Sequence, residues 1–205
     1  MFRSLIKRLV LACSFLACSF LVFATAAQAQ WTLDPAASTL SFASIKAGSV
    51  GETHRFTELA GTVEQDGAVT ITVSLDSVET MIDIRDERMR KYLFETAKFP
   101  TATITAELDM KALGKLKVGD TTNMDLPVKL ELHGQASHVH TMVAVARLAR
   151  DRVLVTSRDL VMIDASGYGF DQGLQKLMEL AGLPSISAAV PVSFVFLFTR
   201  GGKAE

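Results

Sequence analysis

Four histidines are the side chains in this sequence that could do acid–base or metal chemistry: His54, His133, His138 and His140. His138 and His140 are two residues apart, so a β-strand would place both imidazoles on one face, as half of a metal site. A third ligand is not evident nearby, and residues 133–138 have the composition of a hairpin turn. The pattern therefore favours a solvated turn over a metal site.

Charged residues concentrate between positions 83 and 90, where two interpretations are open. In the first, Arg85 and Arg88 belong to a polar rim that binds the oxygen atoms of a ligand's head group. In the second, the segment is the start of a helix, with acidic residues near its positive end and an i,i+4 pair of Asp86 with Arg90. The second interpretation is the simpler, and the first is the one that would carry function.

Catalytic motifs are missing from the sequence. It contains no G-x-S-x-G, H-E-x-x-H or C-x-x-C motif, and no nucleophile has a visible base. The glycine-rich residues 166–173 follow no βαβ pattern, so we expect an irregular loop there rather than a phosphate-binding one. The sequence therefore predicts a protein that is not an enzyme.

Residues 1–29 have the pattern of a cleaved signal peptide. A basic start is followed by an apolar run over residues 9–25 and an Ala-x-Ala site, which predicts cleavage between Ala29 and Gln30. An uncleaved membrane anchor is the alternative, and acylation of a cysteine in this segment is a weaker one. Cleavage would remove three cationic side chains and no anionic ones, taking the formal net charge from -1 to -4. Such a charge does not favour nucleic acid as a partner.

Alternation of apolar and polar residues with a period of two predicts a chain made mainly of β-strands. About eight such runs, joined mainly by short turns and without βαβ alternation, predict an all-β, antiparallel, lipocalin-like barrel. An open sandwich is the alternative. Residues 30–205 are long enough to form one domain with its own core. The alternating runs begin near residues 40, 56, 69, 102, 124, 143, 153 and 190.

Two short helices are expected to cover the barrel. Residues 85–94 carry Met89, Leu93 and Phe94 at helical spacing, which predicts that these three side chains face inward. A second apolar stripe predicts a helix over residues 172–181, ended by the glycine that follows it.

The interior of an eight-stranded barrel either fills with side chains or encloses one small ligand, and the sequence leaves both open. On the last strand the two-residue period puts Val192, Phe194 and Phe196 on one face and Ser193 and Thr199 on the other. The side chains predicted to line a tunnel are Phe42, Phe56, Met89, Phe94, Leu130, Leu132, Val143, Val145, Val155, Phe170, Val192, Phe194 and Phe196.

Several segments resemble a known family in order and spacing. Arg-Asp-Glu-Arg-Met-Arg at residues 85–90, then Leu-Phe-Glu at 93–95 and Lys-Phe-Pro-Thr at 98–101, resemble the signature of the YceI-like family. Residues 31–38 and 182–186 are also similar to that family. Two departures are the Ala36-Ala37 pair, where many relatives are basic or polar, and Leu-Phe-Glu in place of Phe-Phe-Asp.

The resemblance implies a periplasmic barrel that holds a polyisoprenoid lipid, such as an isoprenoid quinone, in an apolar tunnel. It implies no catalysis and no cofactor besides this lipid. We therefore expect an exported carrier, monomeric or homodimeric, for an isoprenoid lipid. One alternative is a packed barrel that binds a membrane quinol-oxidising cytochrome, and the other is an enzyme using the charged cluster and His54.

Overall fold

The computed structural model describes residues 31–200, which form a closed antiparallel β-barrel. Each strand has one apolar face that must leave water, and closure lets all these faces meet inside without leaving an unpaired edge. The strands are β1 (Trp31–Leu33), β2 (Thr39–Lys46), β3 (Val50–Phe56), β4 (Leu59–Val63), β5 (Ala68–Ser74), β6 (Val78–Glu79), β7 (Thr101–Glu107), β8 (Thr121–Leu132), β9 (Gln135–Ala149), β10 (Arg152–Ser157), β11 (Val161–Asp164) and β12 (Ala189–Thr199).

The described segments make eight barrel strands because several of them are consecutive halves of one bent strand. β1 and β2 pair with successive stretches of β12, and β10 and β11 do the same on its other side. β3 and β4 pair with β2 and β1, and β5 and β6 pair with β4 and β3. The ring closes where Thr32 of β1 pairs with Thr199 of β12. The predicted eight-stranded antiparallel barrel is confirmed.

Three helices accompany the barrel: α1 (Asp83–Arg88), α2 (Met110–Leu113) and α3 (Asp171–Ala181). α1 continues directly into a π-helical turn, Met89–Leu93, so the segment predicted as one helix changes its hydrogen-bonding pattern halfway. α3 ends at Gly182, whose φ of 63° is the left-handed conformation that glycine adopts easily. The sequence did not predict α2.

α3 packs closely on the π-helical turn at Gly173. A Cβ atom at this position would lie 2.6 Å from the carbonyl oxygen of Tyr92 and 2.9 Å from the Cα of Leu93. Real Cβ atoms do not approach that closely, so only glycine allows this contact between the two elements.

The barrel has two different ends. At the first, called the helical end, the β2–β3 hairpin, α1 and α3 come together. At the second, called the Trp31 end, Trp31 of β1 lies with Arg147 of β9 and Arg200, which follows β12. Over residues 31–200, none of the helices has the length and apolar character needed to cross a membrane.

Candidate functional site

A cavity of about 820 Å³ runs through the barrel interior. Its lining begins with Ile84, Arg85 and Leu177 at the helical end and continues to Trp31 and Arg200 at the Trp31 end. Between these ends the walls are inward-facing apolar side chains of the barrel strands. The interior is therefore lined around a space rather than filled by side chains.

The side chains predicted to line a tunnel all border this cavity, as do Arg85 and Arg88. On β12, Val192, Phe194 and Phe196 face the cavity, while Val195 on the opposite face is exposed. Met89, Leu93 and Phe94 are buried against the core, as their helical spacing indicates. Whether these side chains bind a ligand stays a prediction. The predicted cleavage residues, Ala29 and Gln30, lie outside the described residues.

The π-helical turn Met89–Leu93 and α3 cover the barrel, and we call these two elements the helical cover. A chain of aromatic rings joins this cover to the wall of the cavity. Phe42 stacks on Phe56 with ring centres 5.3 Å apart, and Phe56 lies 5.7 Å from Phe94. Phe94 in turn meets the edge of Phe170 at 5.8 Å. These separations suit favourable aromatic pairs, so the cover is held to the wall by side chains that also line the cavity.

A cluster of charged side chains borders the cavity at the helical end. Oε2 of Glu52 lies 2.7 Å from Nζ of Lys46 and 2.7 Å from Nη1 of Arg85. The hydrogen bond from Lys46, and then the charge of Arg85, lower the pKa of Glu52, although burial opposes them. Nη2 of Arg85 also donates to the Thr80 carbonyl oxygen at 2.6 Å. One carboxylate is thus shared by two cations, so Lys46, Glu52 and Arg85 together keep a formal charge of +1.

Two buried nitrogens of this cluster keep free hydrogen-bonding capacity. His54 is only 3% exposed, and its Nε2 lies 2.8 Å from Oγ of Ser44. Burial, and then the positive charge of Arg85, lower the pKa of His54, so its imidazole is neutral at neutral pH. Within residues 31–200, neither Nδ1 of His54 nor Nε of Arg85 has a hydrogen-bond partner.

The two interpretations of residues 83–90 can now be compared. Asp86 does not form the i,i+4 pair with Arg90; its carboxylate accepts from the backbone and the hydroxyl of Thr80 instead. Arg90 donates to the Asp76 carbonyl oxygen at 3.3 Å, and Arg88 donates to the Leu180 carbonyl oxygen at 3.2 Å. The expected i,i+4 pair is wrong because Thr80, which precedes the helix, donates two hydrogen bonds to the Asp86 carboxylate.

The other histidines occupy different environments. The predicted turn is shorter than residues 133–138: only His133 and Gly134 separate β8 from β9, and both have positive φ. His133 lies 2.8 Å from Glu95, and its ring lies between those of Phe99 and Phe170, tilted against both. His138 and His140 are exposed on β9, and the described part of the chain holds no cluster of three possible metal ligands.

Sequence reasoning predicted Arg85 and Arg88 at the cavity but missed Ser44, Lys46 and Glu52, and it considered His54 only for an enzyme. Ser44, Lys46, Glu52 and His54 share the even-numbered phase of Leu40 and Phe42 on β2 and of Phe56 on β3, and that phase faces inward. Extending the phase from the apolar residues could have found them.

Eight antiparallel strands closed around an apolar cavity, with charged groups at each end, define the class of barrels that enclose a space inside. The chain belongs to the YceI-like domain family, whose model matches residues 31–198. No curated protein matches it.

Solved structures support the same assignment. A polyisoprenoid binding domain from Saccharophagus degradans, implicated in plant cell wall breakdown, is 38% identical with a TM-score of 0.83, over 85% of this chain and 100% of that one. BcnA of Burkholderia cenocepacia is 18% identical with a TM-score of 0.61, over 80% of this chain and 98% of that one. A YCEI protein of Campylobacter jejuni is 13% identical with a TM-score of 0.51, over 73% and 85%. The last two show the fold alone.

Proposed function

We propose that this protein binds a polyisoprenoid lipid in its cavity and carries it. The observation that carries the proposal is the continuous apolar cavity of about 820 Å³ that begins beside one polar cluster. The similar domain from Saccharophagus degradans is described as polyisoprenoid binding, which supports the same class of ligand here.

The energetics favour an apolar occupant. Without a ligand the cavity would hold water against apolar walls, and each Å² of apolar wall that a bound chain covers contributes about 25 cal/mol. The gain relative to a bilayer, where the chain is already out of water, comes from covering the wall.

The polar cluster favours a neutral head group with oxygen atoms, such as an isoprenoid quinone. Lys46 and Arg85 share the single charge of Glu52, and a phosphate would have to compete with that carboxylate for both cations, whereas a neutral oxygen leaves the two pairs in place. Nε of Arg85 can donate to a carbonyl oxygen, and Nδ1 of His54 can donate or accept according to its tautomer. A quinone or quinol oxygen would satisfy both nitrogens without adding charge.

We further propose that the carrier works in the periplasm after removal of residues 1–29. The support is the basic start, the apolar run and the Ala-x-Ala site ahead of Gln30. The intact mass of the exported protein should match a chain that begins at Gln30. A mature chain that keeps Cys13 or Cys18 would contradict this proposal.

The competing functions find less support. A barrel that only binds a membrane cytochrome would have no need of a lined cavity. We therefore propose such a partner only together with lipid binding, and not in place of it. Ser44 lies within hydrogen-bonding distance of His54, but within residues 31–200 no carboxylate hydrogen-bonds Nδ1 of His54 to orient the imidazole as a base, so we propose no catalytic step.

Organic extraction of the purified protein, followed by mass spectrometry, tests the proposal. The parent should release an isoprenoid lipid. Phe194→Trp adds bulk inside the cavity and should release less lipid, with the melting temperature almost unchanged because space is available. Val195→Trp is the matched control, since its side chain lies on the outer face. A parent without lipid, together with a Phe194→Trp variant destabilised by about 1–3 kcal/mol, would favour a packed barrel.

A further inference from the structure

Four large apolar side chains are exposed at the helical end. They are Val50 of the β2–β3 hairpin, Met81 and Ile82 just before α1, and Ile84 in its first turn. Their exposed fractions are 47%, 81%, 46% and 52%. We call these four residues the apolar rim. The salt bridge between Glu52 and Arg85 brings the hairpin and α1 together, so the four residues belong to one surface.

The apolar rim is continuous with the cavity. Of the large apolar side chains exposed on residues 31–200, Ile82 and Ile84 are the two that also line the cavity. Exposed apolar side chains elsewhere, such as Leu148 and Met162, lie on the outer wall and do not border it. The helical end therefore offers an uninterrupted apolar surface from the outside of the protein to the inside of the barrel.

The backbone holds Met81 outward. Its φ of 63° lies in the left-handed region, which a residue with a side chain rarely adopts. Its two neighbours are held in place: the Asp86 carboxylate accepts from Thr80 and the Arg85 guanidinium donates to the Thr80 carbonyl oxygen, while the backbone N–H of Arg85 donates to the Ile82 carbonyl oxygen. A strained residue that carries the most exposed large apolar side chain of residues 31–200 is a feature of functional surfaces.

We propose that the apolar rim inserts into the surface of a lipid bilayer and is the opening through which the isoprenoid chain passes. This inference rests on the proposed function. An isoprenoid lipid resides in a bilayer, and a rim that touches the bilayer lets its chain enter the cavity without crossing water.

A bilayer fits this surface better than a protein partner does. A stable protein interface buries about 800 Å² on each side and involves some 20–30 residues, whereas the rim is four side chains. Insertion into a bilayer requires no complementary shape. It requires only apolar side chains that project far enough to reach the boundary between the lipid head groups and the acyl chains. The proposal relies on these apolar side chains and not on Lys46 and Arg85, which are both held by Glu52, so it predicts binding to a bilayer without net charge.

The test uses the full exported chain with phosphatidylcholine vesicles that contain ubiquinone. Binding is measured by flotation, and ubiquinone uptake by extraction of the recovered protein. In Val50→Ser/Met81→Ser both changed residues belong to the rim and neither borders the cavity. Leu148→Ser/Met162→Ser is the matched control, with exposed fractions of 50% and 55% on the outer wall. Loading of each protein from detergent-solubilised ubiquinone is measured in parallel.

The parent and the control should bind vesicles and take up ubiquinone alike. The rim variant should bind at least about tenfold less, because two largely exposed apolar side chains no longer leave water. It should still load from detergent. Parent binding should persist at about 1 M salt, where charges are screened beyond roughly 3 Å.

Three results would overturn the inference. The first is equal vesicle binding by the rim and control variants, and the second is a parent that loads from detergent but ignores vesicles. The third is a parent dimer that the rim variant converts to a monomer, since the rim would then bind a second copy. A parent that loads from neither source would instead refute the proposed function.

Discussion

The two ends of the cavity are built from different chemistry. At the helical end, Lys46, Glu52, His54 and Arg85 form a cluster with exposed apolar side chains around it. At the Trp31 end, the guanidinium groups of Arg147 and Arg200 lie over the Trp31 ring, 5.7 and 5.2 Å from its centre.

The difference separates two tasks that a lipid carrier must combine. The Trp31 end buries an aromatic ring beneath two cations, an arrangement that stabilises by cation–π attraction and packing. The helical end leaves buried nitrogens unpartnered and holds Met81 in a strained conformation, which costs stability. The unpartnered and strained groups described here thus lie at the helical end, where binding is proposed.

The largest expected effect tests whether the helical cover is part of the core. Phe94→Asp would bury an unpaired charge among Phe56, Phe170 and the cavity wall, and should cost about 4 kcal/mol or more. Leu116→Asp, a half-buried lining position near the Trp31 end, should cost about 1 kcal/mol because the carboxylate can reach water. Thermal unfolding followed by circular dichroism checks both. Equal melting temperatures would show that the cover is not packed on the barrel.

A smaller effect tests the contact between α3 and the π-helical turn. Gly173→Ala places a methyl group against the backbone of Tyr92, so α3 must move away, and we expect a loss of about 1–3 kcal/mol in unfolding free energy. Gly51→Ala is the control, since the described residues leave more than 4 Å of space around its Cβ. Denaturant titration gives both values. A neutral Gly173→Ala would mean that the helical cover shifts freely.

The smallest effect is the pH dependence of the helical end. The pKa of His54 is lower in the folded protein than its usual 6.5. The unfolded chain therefore takes up more protons below about pH 6.5, and stability falls as the pH drops through that range. Glu52 acts in a separate window, because its lowered pKa contributes stability that is lost only below its usual 4.5.

Between about pH 7 and pH 5 the melting temperature of the parent should fall, in part because His54 takes up a proton more easily in the unfolded chain. In His54→Gln this decrease should be smaller. His138→Gln, which changes an exposed histidine of β9, should leave the fall as it is in the parent. If the two variants behave alike, the buried imidazole does not control this pH dependence.

Much of the fold follows from the period of two. Once Leu40 and Phe42 are placed inside, every second residue of β2 is inside as well, and the same rule places Val192, Phe194 and Phe196 on the cavity wall. Closure also follows, because about eight long antiparallel strands leave fewer unpaired edges as a barrel than as a sandwich.

The remaining features of the fold depend on polar inward residues, very short elements or contacts between distant residues, which the alternation of apolar and polar residues does not reveal. The sequence pattern did not reveal β3, because its inward-facing residues include the polar Glu52 and His54, and polar residues normally mark the outward face of a strand. The four residues of α2 are too few for helical periodicity to show. The change from α-helix to π-helical turn at Met89 lies where the chain packs on Gly173, whose partner is some eighty residues away in sequence.

The seam between β1 and β12 sets the order of folding. The Thr199 hydroxyl donates to the Thr32 carbonyl oxygen across 167 positions of sequence. Such a contact closes a very long loop, so it forms slowly compared with local pairs such as the β8–β9 hairpin, which is joined by only two residues. We therefore expect this seam to close late in folding, so that one of the last steps of folding is also the step that creates the cavity.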